Sequence, residues 1–462
     1  MPMASPVAAR YSGITAYHFG PQGYSRKMSP RSSKMRKPRL SPPVRRTRRR
    51  WRVPPAIMHG EEAFEGGGVL EEIPGQLGLV LWQSLRDVSL WAATEEERRG
   101  ELFAEGAEQR RRTAIRAQGV EPVLETPLLE ISELLGRPNA LTAELTARAC
   151  LQVSQWADEH GHSATALAFA QSASFAAPFD ASTAYTVARL ARRRAEHARA
   201  ESWFRRTVAL GRQSGDWSAY ALAFLGLGNL YMQRGNLPVA RRFDIRALRA
   251  ARRHSLHSVA GMTYHDLFVL AVASGRPDDA ERYARGAYDE YGSDHPRLPA
   301  LAHDVAYFWL QRGYPARAFP VLRALLPRIA RAAERTIALA NIARAAGALG
   351  DRSRFEDAWS QVWDGAASAD PGERGAELLV DLAYGAASLG EWERAEQAAR
   401  RAVDVATERG EAKTRIEAEA VLESAHKRSA AEQPAAEAAS TEAADALAEE
   451  LVRSLSQVSV EE

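Results

Sequence analysis

Residues Leu222–Leu248, LAFLGLGNLYMQRGNLPVARRFDIRAL, decide the fold. Phe224, Leu227, Gly228 and Tyr231 fall at spacings of three, one and three, which puts them on one face of a helix. Gly235 ends that helix, because glycine accepts the left-handed backbone that a C-terminal cap needs. Pro238 follows at the start of the next helix, where its missing N–H costs nothing, and Ala240, Ala247 and Leu248 continue a second apolar face. The stretch predicts a helical hairpin whose two backbones approach closely through small residues.

The same setting recurs along the chain. A small residue stands at Gly161, Ala195, Gly235, Gly275, Gly313, Gly350 and Gly390, and five residues later comes Ala166, Ala200, Ala240, Ala280, Ala318, Phe355 or Ala395. The intervals between those later residues are 34, 40, 40, 38, 37 and 40. Periodicity on this scale means stacked copies of one supersecondary unit.

The unit resembles the tetratricopeptide repeat (TPR), whose first helix favours large, aliphatic, small and aromatic residues in series and whose second carries two alanines around a large residue. Phe224, Leu227, Gly228, Tyr231, Ala240 and Ala247 follow that series, as do Cys150, Val153, Ser154, Ala157, Ala166 and Ala173, with Pro178 at the closing proline. Val187, Ala188, Ala200 and Phe204 carry a second copy, Leu267, Ala271, Ala280 and Ala287 a fourth, and Val305, Ala306, Trp309, Ala318 and Leu322 a fifth. Ile342, Ala343, Ala346 and Trp359, then Leu382, Ala383, Ala386, Ala395 and Ala402, complete seven. Asp244 and Ala284 depart from the pattern where a bulky residue is usual, Phe268 where a small one is, and Phe355 where alanine is. The long intervals resemble those of bacterial regulatory members of the family. The resemblance implies an all-α superhelical solenoid of helical hairpins, flanked by N-terminal helices and disordered ends.

Composition agrees with a helical chain, since Ala, Arg, Leu and Glu dominate the middle of its 462 residues and β-branched runs are scarce. Cys150, the only cysteine, excludes an intramolecular disulfide framework and reads as a small core residue. No stretch approaches the roughly 18 consecutive apolar residues of a membrane span, and no apolar leader precedes a cleavage site, so a cytoplasmic protein is expected. The formal charge of +3 hides an asymmetry: 14 of the 61 Lys and Arg residues and no Asp or Glu precede Met58.

These shifts divide the chain. Residues 1–57 form a basic arm, rich in Pro, Ser and Arg, that cannot bury a core. It reads as a nucleic-acid or anionic-surface contact, as an organellar targeting segment, or as sequence outside a native protein starting at Met58, the last being preferred. Residues 58–76, with Gly66, Gly67 and Gly68, read as a linker, and 77–136 as capping helices, with Leu77, Leu81, Leu85 and Val88 on one face. Seven repeats occupy 137–411 and a capping helix 412–428. The Ala/Glu-rich tail, 429–462, carries a stripe of Leu447, Leu451 and Leu455, read as a solvated helix, with a self-docking or partner-binding helix as the alternative.

The TPR resemblance implies that the first helices line a concave groove that captures a protein or peptide. Carried onto this chain, its groove positions nominate Asn229, Met232, Gln233, His265, Asp266, His303, Asp304, Tyr307, Gln311, Arg344 and Tyr384, together with Asn341 and Asp381. His265-Asp266 and His303-Asp304 share one phase in adjacent repeats; they read first as solvated polar positions, with two imidazoles jointly facing a ligand, a metal or a proton equilibrium as the alternative. The lysines with which some members clamp a terminal carboxylate are missing here. No P-loop lysine follows the glycine run, no nucleophile elbow or H-E-x-x-H occurs, and neither His254 with His257 nor His160 with His162 has the further ligands of a zinc site. The expectation is a non-enzymatic scaffold or regulatory adaptor, without catalytic residues, metal or cofactor. The alternative is a TPR-containing transcriptional regulator that senses a peptide and touches DNA through its N-terminal element, nucleic acid being reached only through the basic arm.

Overall fold

The seven recurring small residues share one backbone conformation. Gly161, Ala195, Gly235, Gly275, Gly313, Gly350 and Gly390 all have φ between 59° and 82°, the left-handed region. The residue after each donates its N–H to the carbonyl five positions back, as in Asn236 to Tyr231 and Asp351 to Ala346, at 2.8–3.0 Å. This pair of features terminates a helix and reverses the chain at once. Ala195 adopts the conformation at φ 59° despite its side chain.

The structure, a computed structural model, describes residues 67–139, 142–366, 372, 374–429 and 442–457. The basic arm and its three readings lie outside the described residues. The described residues are helical, without strands, and divide into two compact units that meet in sequence between Val259 and Ala260.

The first unit begins with α1 (Gly67–Glu72), α2 (Gln76–Ala93), α3 (Ala107–Arg116) and α4 (Pro122–Ser132). Residues 67–72, read as linker, are therefore helical, and α1 has a use: Glu72 accepts the N–H groups of Ala164 and Thr165 at 2.7 and 2.8 Å. It caps the orphan donors that open the second helix of the first hairpin. Leu81, Leu85, Val88 and Trp91 of α2 are buried, and α2 and α4 pack on the first hairpin. Three hairpins follow: α5 (Ala143–Glu159) with α6 (Ser163–Ala176), α7 (Ala181–Arg193) with α8 (His197–Ser214), and α9 (Trp217–Gln233) with α10 (Leu237–Arg253). Burial pushes the Cys150 thiol, on α5, up to about 12.

Helix α11 (His257–Ala273) crosses the boundary between the units, and α12 (Pro277–Tyr291) follows it. The second unit continues with α13 (Leu298–Gln311) and α14 (Pro315–Leu325), α15 (Ala332–Ala348) and α16 (Arg352–Ala366), then α17 (Gly375–Ser388) and α18 (Trp392–Arg409). Helix α19 (Ala412–His426) packs on α17 and α18.

Packing follows the small residues. Ala166, Ala200, Ala240, Ala280, Ala318, Phe355 and Ala395 are all 0% exposed, so the second helix of each hairpin is pressed on the chain at the same point. Gly228 leaves room for Asp244, whose Oδ1 would lie 1.8 Å from a Cβ there. Gly347 and Gly385 bring α15 and α17 together so closely that a Cβ on Gly347 would meet the Gly385 carbonyl at 2.2 Å. The same Gly385 accommodates Phe355, the large residue in the alanine position.

The tail differs from its reading as a solvated helix. Helix α20 (Glu442–Ser456) lies on α14 and α12, with Leu447, Leu451 and Leu455 at most 3% exposed. Arg317 bonds Asp445, Arg285 bonds Glu450 and Tyr288 bonds Ser454, at 2.8–2.9 Å. Arg328 donates to the carbonyls of Ser454, Leu455 and Gln457, supplying donors to the carbonyls that end the helix and a cation beside Arg453 of its last turn. Burial of an apolar stripe decides this: three buried leucines are worth about 1.5–3 kcal/mol each in transfer free energy.

Candidate functional site

The first helices of the hairpins carry the nominated residues. On α9, in the first unit, Met232 is buried, Asn229 half-buried and Gln233 exposed. The remaining ten belong to the second unit, where α11, α13, α15 and α17 bring His265, His303 and Asp304 into one polar cluster and Asn341, Arg344, Asp381 and Tyr384 into another.

The first cluster centres on Asp304. His265 of α11 reaches across to α13, its Nε2 2.9 Å from Asp304 Oδ2. His303 places Nδ1 3.6 Å from the other oxygen, Oδ1. His265, His303 and Asp304 are all less than 10% exposed. Burial opposes the charged carboxylate of Asp304, but the His265 hydrogen bond and the nearness of both imidazoles outweigh it and hold its pKa below the ordinary value. The reading of the pair as solvated polar positions is thus corrected, and in place of a guest the two imidazoles converge on a carboxylate of the chain itself. Neither ring nitrogen of His303 has a hydrogen-bond partner, and its ring lies parallel to that of Tyr307, with centroids 6.4 Å apart. Asp266, next to His265, is half-buried.

The second cluster centres on Asp381 of α17. Asn341 and Arg344, both on α15, donate to its two oxygens at 2.6 and 2.8 Å. Arg344 also lies over the Tyr384 ring, 4.4 Å from its centroid. Burial works against the Arg344 charge, yet Asp381 more than offsets it and raises the Arg344 pKa. Tyr307 lies between the clusters: its ring meets that of His303, and its phenol, pushed up by burial, feels Asp381 and Arg344 in opposite directions.

Six of the ten nominated residues of this unit, His265, His303, Asp304, Asn341, Arg344 and Asp381, are therefore interior, whereas Asp266, Tyr307, Gln311 and Tyr384 are half-buried. Arg374 and Glu377, bonded at 2.6 Å, also act on the Tyr307 phenol and were missed by sequence reasoning. Arg374 precedes α17 and Glu377 lies in its first turn, while Tyr291, stacked on His295 at 4.1 Å, ends α12; all stand at helix ends, outside the periodic positions, so no spacing signals them.

Chemically, each carboxylate is engaged from a neighbouring helix, Asp304 by His265 and Asp381 by Asn341 and Arg344, an arrangement suited to fixing the register of those helices rather than to attacking a substrate. Among the described residues, no group of three or more His, Cys, Asp or Glu side chains is placed to hold a metal ion. No helix among them is long and apolar enough to cross a membrane. Comparison of the chain with protein-family models and with curated proteins finds no match.

Proposed function

We propose that this chain is a TPR-like superhelical solenoid that binds a protein or peptide along its first helices, acting as a scaffold or regulatory adaptor without chemistry of its own. One observation carries the reading: seven hairpins reverse at the same left-handed turn with the same capping bond, at intervals of a repeat. Such arrays bury their core between neighbours and present extended surfaces. The buried clusters at Asp304 and Asp381 support it further, because they anchor first helix to first helix and leave the half-buried side chains beside them to meet a partner.

Panning a random peptide library against the full chain tests the proposal. Enriched peptides should bind saturably, and Gln311→Arg and Tyr384→Arg, both in the second unit, should each weaken them at least tenfold with an unchanged circular dichroism spectrum. Peptides that bind both variants as well as the parent would refute a first-helix site.

A further inference from the structure

The second helices carry a different feature. Between α8, α9 and α10 lies a cavity of about 630 Å³. One wall is Arg246, Arg249 and Arg253, at positions i, i+3 and i+7 of α10, and the facing wall is Trp217, Tyr220 and Phe224, at the same spacing on α9. No acidic side chain lines it. The three arginines are exposed and make no ion pair among the described residues. Arg246 is held over the rings of Phe224 and Phe243, 5.9 and 5.8 Å from their centroids. The helix dipole accounts for Arg253 in the last turn of α10, but not for Arg246 and Arg249 further up.

The repeat register shows what such a place can hold. Val208 and Ala250, which line the cavity, stand thirteen residues past Ala195 and fifteen past Gly235. Tyr288 and Arg328 stand thirteen past Gly275 and fifteen past Gly313, and both bind the C-terminal end of α20. The pair α8 and α10 is thus the repeat equivalent of α12 and α14. On the latter pair rests an amphipathic helix with a leucine stripe, whose Asp445 and Glu450 meet arginines.

We propose that the α8–α10 cavity is a second docking site of the same kind, for an acidic amphipathic helix of a partner protein. Leucines of the guest lie on Trp217, Tyr220 and Phe224, and its carboxylates reach Arg246, Arg249 and Arg253. The site joins second helices α8 and α10 to the face of α9 that carries Trp217, Tyr220 and Phe224, residues other than those nominated on α9 for a first-helix partner.

A fluorescein-labelled peptide of residues 442–457 is the probe, because its charge and stripe are those the site should accept. Added to the full chain, whose own α20 already covers α12 and α14, it should bind saturably and more tightly at low salt. Arg249→Glu with Arg253→Glu should weaken it at least tenfold with an unchanged circular dichroism spectrum, since both side chains are exposed. A photo-crosslinker at the Leu451 position of the peptide should mark residues 208–254. Absent binding, binding insensitive to the double substitution, or crosslinks on α12 and α14 would overturn the proposal. So would self-association of the full chain that the double substitution abolishes, which would assign the cavity to a second copy.

Discussion

Replacing Arg344 by methionine should be among the most damaging single changes in the second unit. Its guanidinium sits 2.8 Å from Asp381, and both side chains are less than 10% exposed. Without it, a buried carboxylate keeps only Asn341 as a close donor. Removing one partner of a buried pair costs about 3–5 kcal/mol, because the other charge is left uncompensated. Asp381→Leu should cost a similar amount by stranding the Arg344 charge. The double variant, Arg344→Met with Asp381→Leu, removes both charges and fills the space with apolar atoms, which for buried pairs is roughly neutral. A double-mutant cycle should therefore give a coupling of at least about 2 kcal/mol, well above the additivity error of independent sites. Because the chain holds two units, the assay should read the second one alone: hydrogen exchange at the amides of α15 and α17, followed as a function of urea. The single variants should lower the opening free energy of these helices, and the double variant should restore most of it. If the double variant loses the sum of the two single losses, the pair is not coupled and the account of the seam is wrong.

Three further outcomes follow from named geometry. Ala195→Gly should stabilise the first unit by about 0.5–1 kcal/mol, because glycine relieves the left-handed strain at φ 59° and returns part of the gain as chain entropy; a lowered thermal midpoint would contradict it. Gly347→Ala should cost about 1–3 kcal/mol or more by forcing α15 from α17, read as faster exchange of both helices. Asp304 has a depressed pKa, so its contribution is present above the ordinary carboxyl value, near 3.9, and is lost as pH falls through the lower folded value; urea unfolding at several pH values should show the parent more stable than Asp304→Asn at pH 7, with the gap closing in acid.

The turns were legible because their cause is local. A residue with little or no side chain, five positions before an inner alanine, states both a left-handed backbone and a close helix contact. Even the exceptions could be read in part: Phe355 stands out as large, but its compensation at Gly385 lies thirty residues away and has no marker of its own. Pairings across helices were not legible. Spacing puts His265 and His303 in one phase, yet says nothing of the 39-residue reach by which His265 takes Asp304. The leucine stripe of α20 could be seen, but not its seat, since docking depends on Arg285, Arg317 and Arg328 scattered over two earlier hairpins. Composition misled at Gly67 and Gly68, which open α1 because Glu72 is needed at the start of α6.

The seat of α20 also sets a schedule for synthesis. Arg317 precedes its partner Asp445 by 128 residues. At the pace of translation, about 5–20 residues per second, the leucine-binding surface of the fourth and fifth hairpins emerges on the order of ten seconds before the helix that covers it. Each nascent chain therefore passes through an interval with a sticky patch bared to the cell, and a chain that terminates early never leaves it.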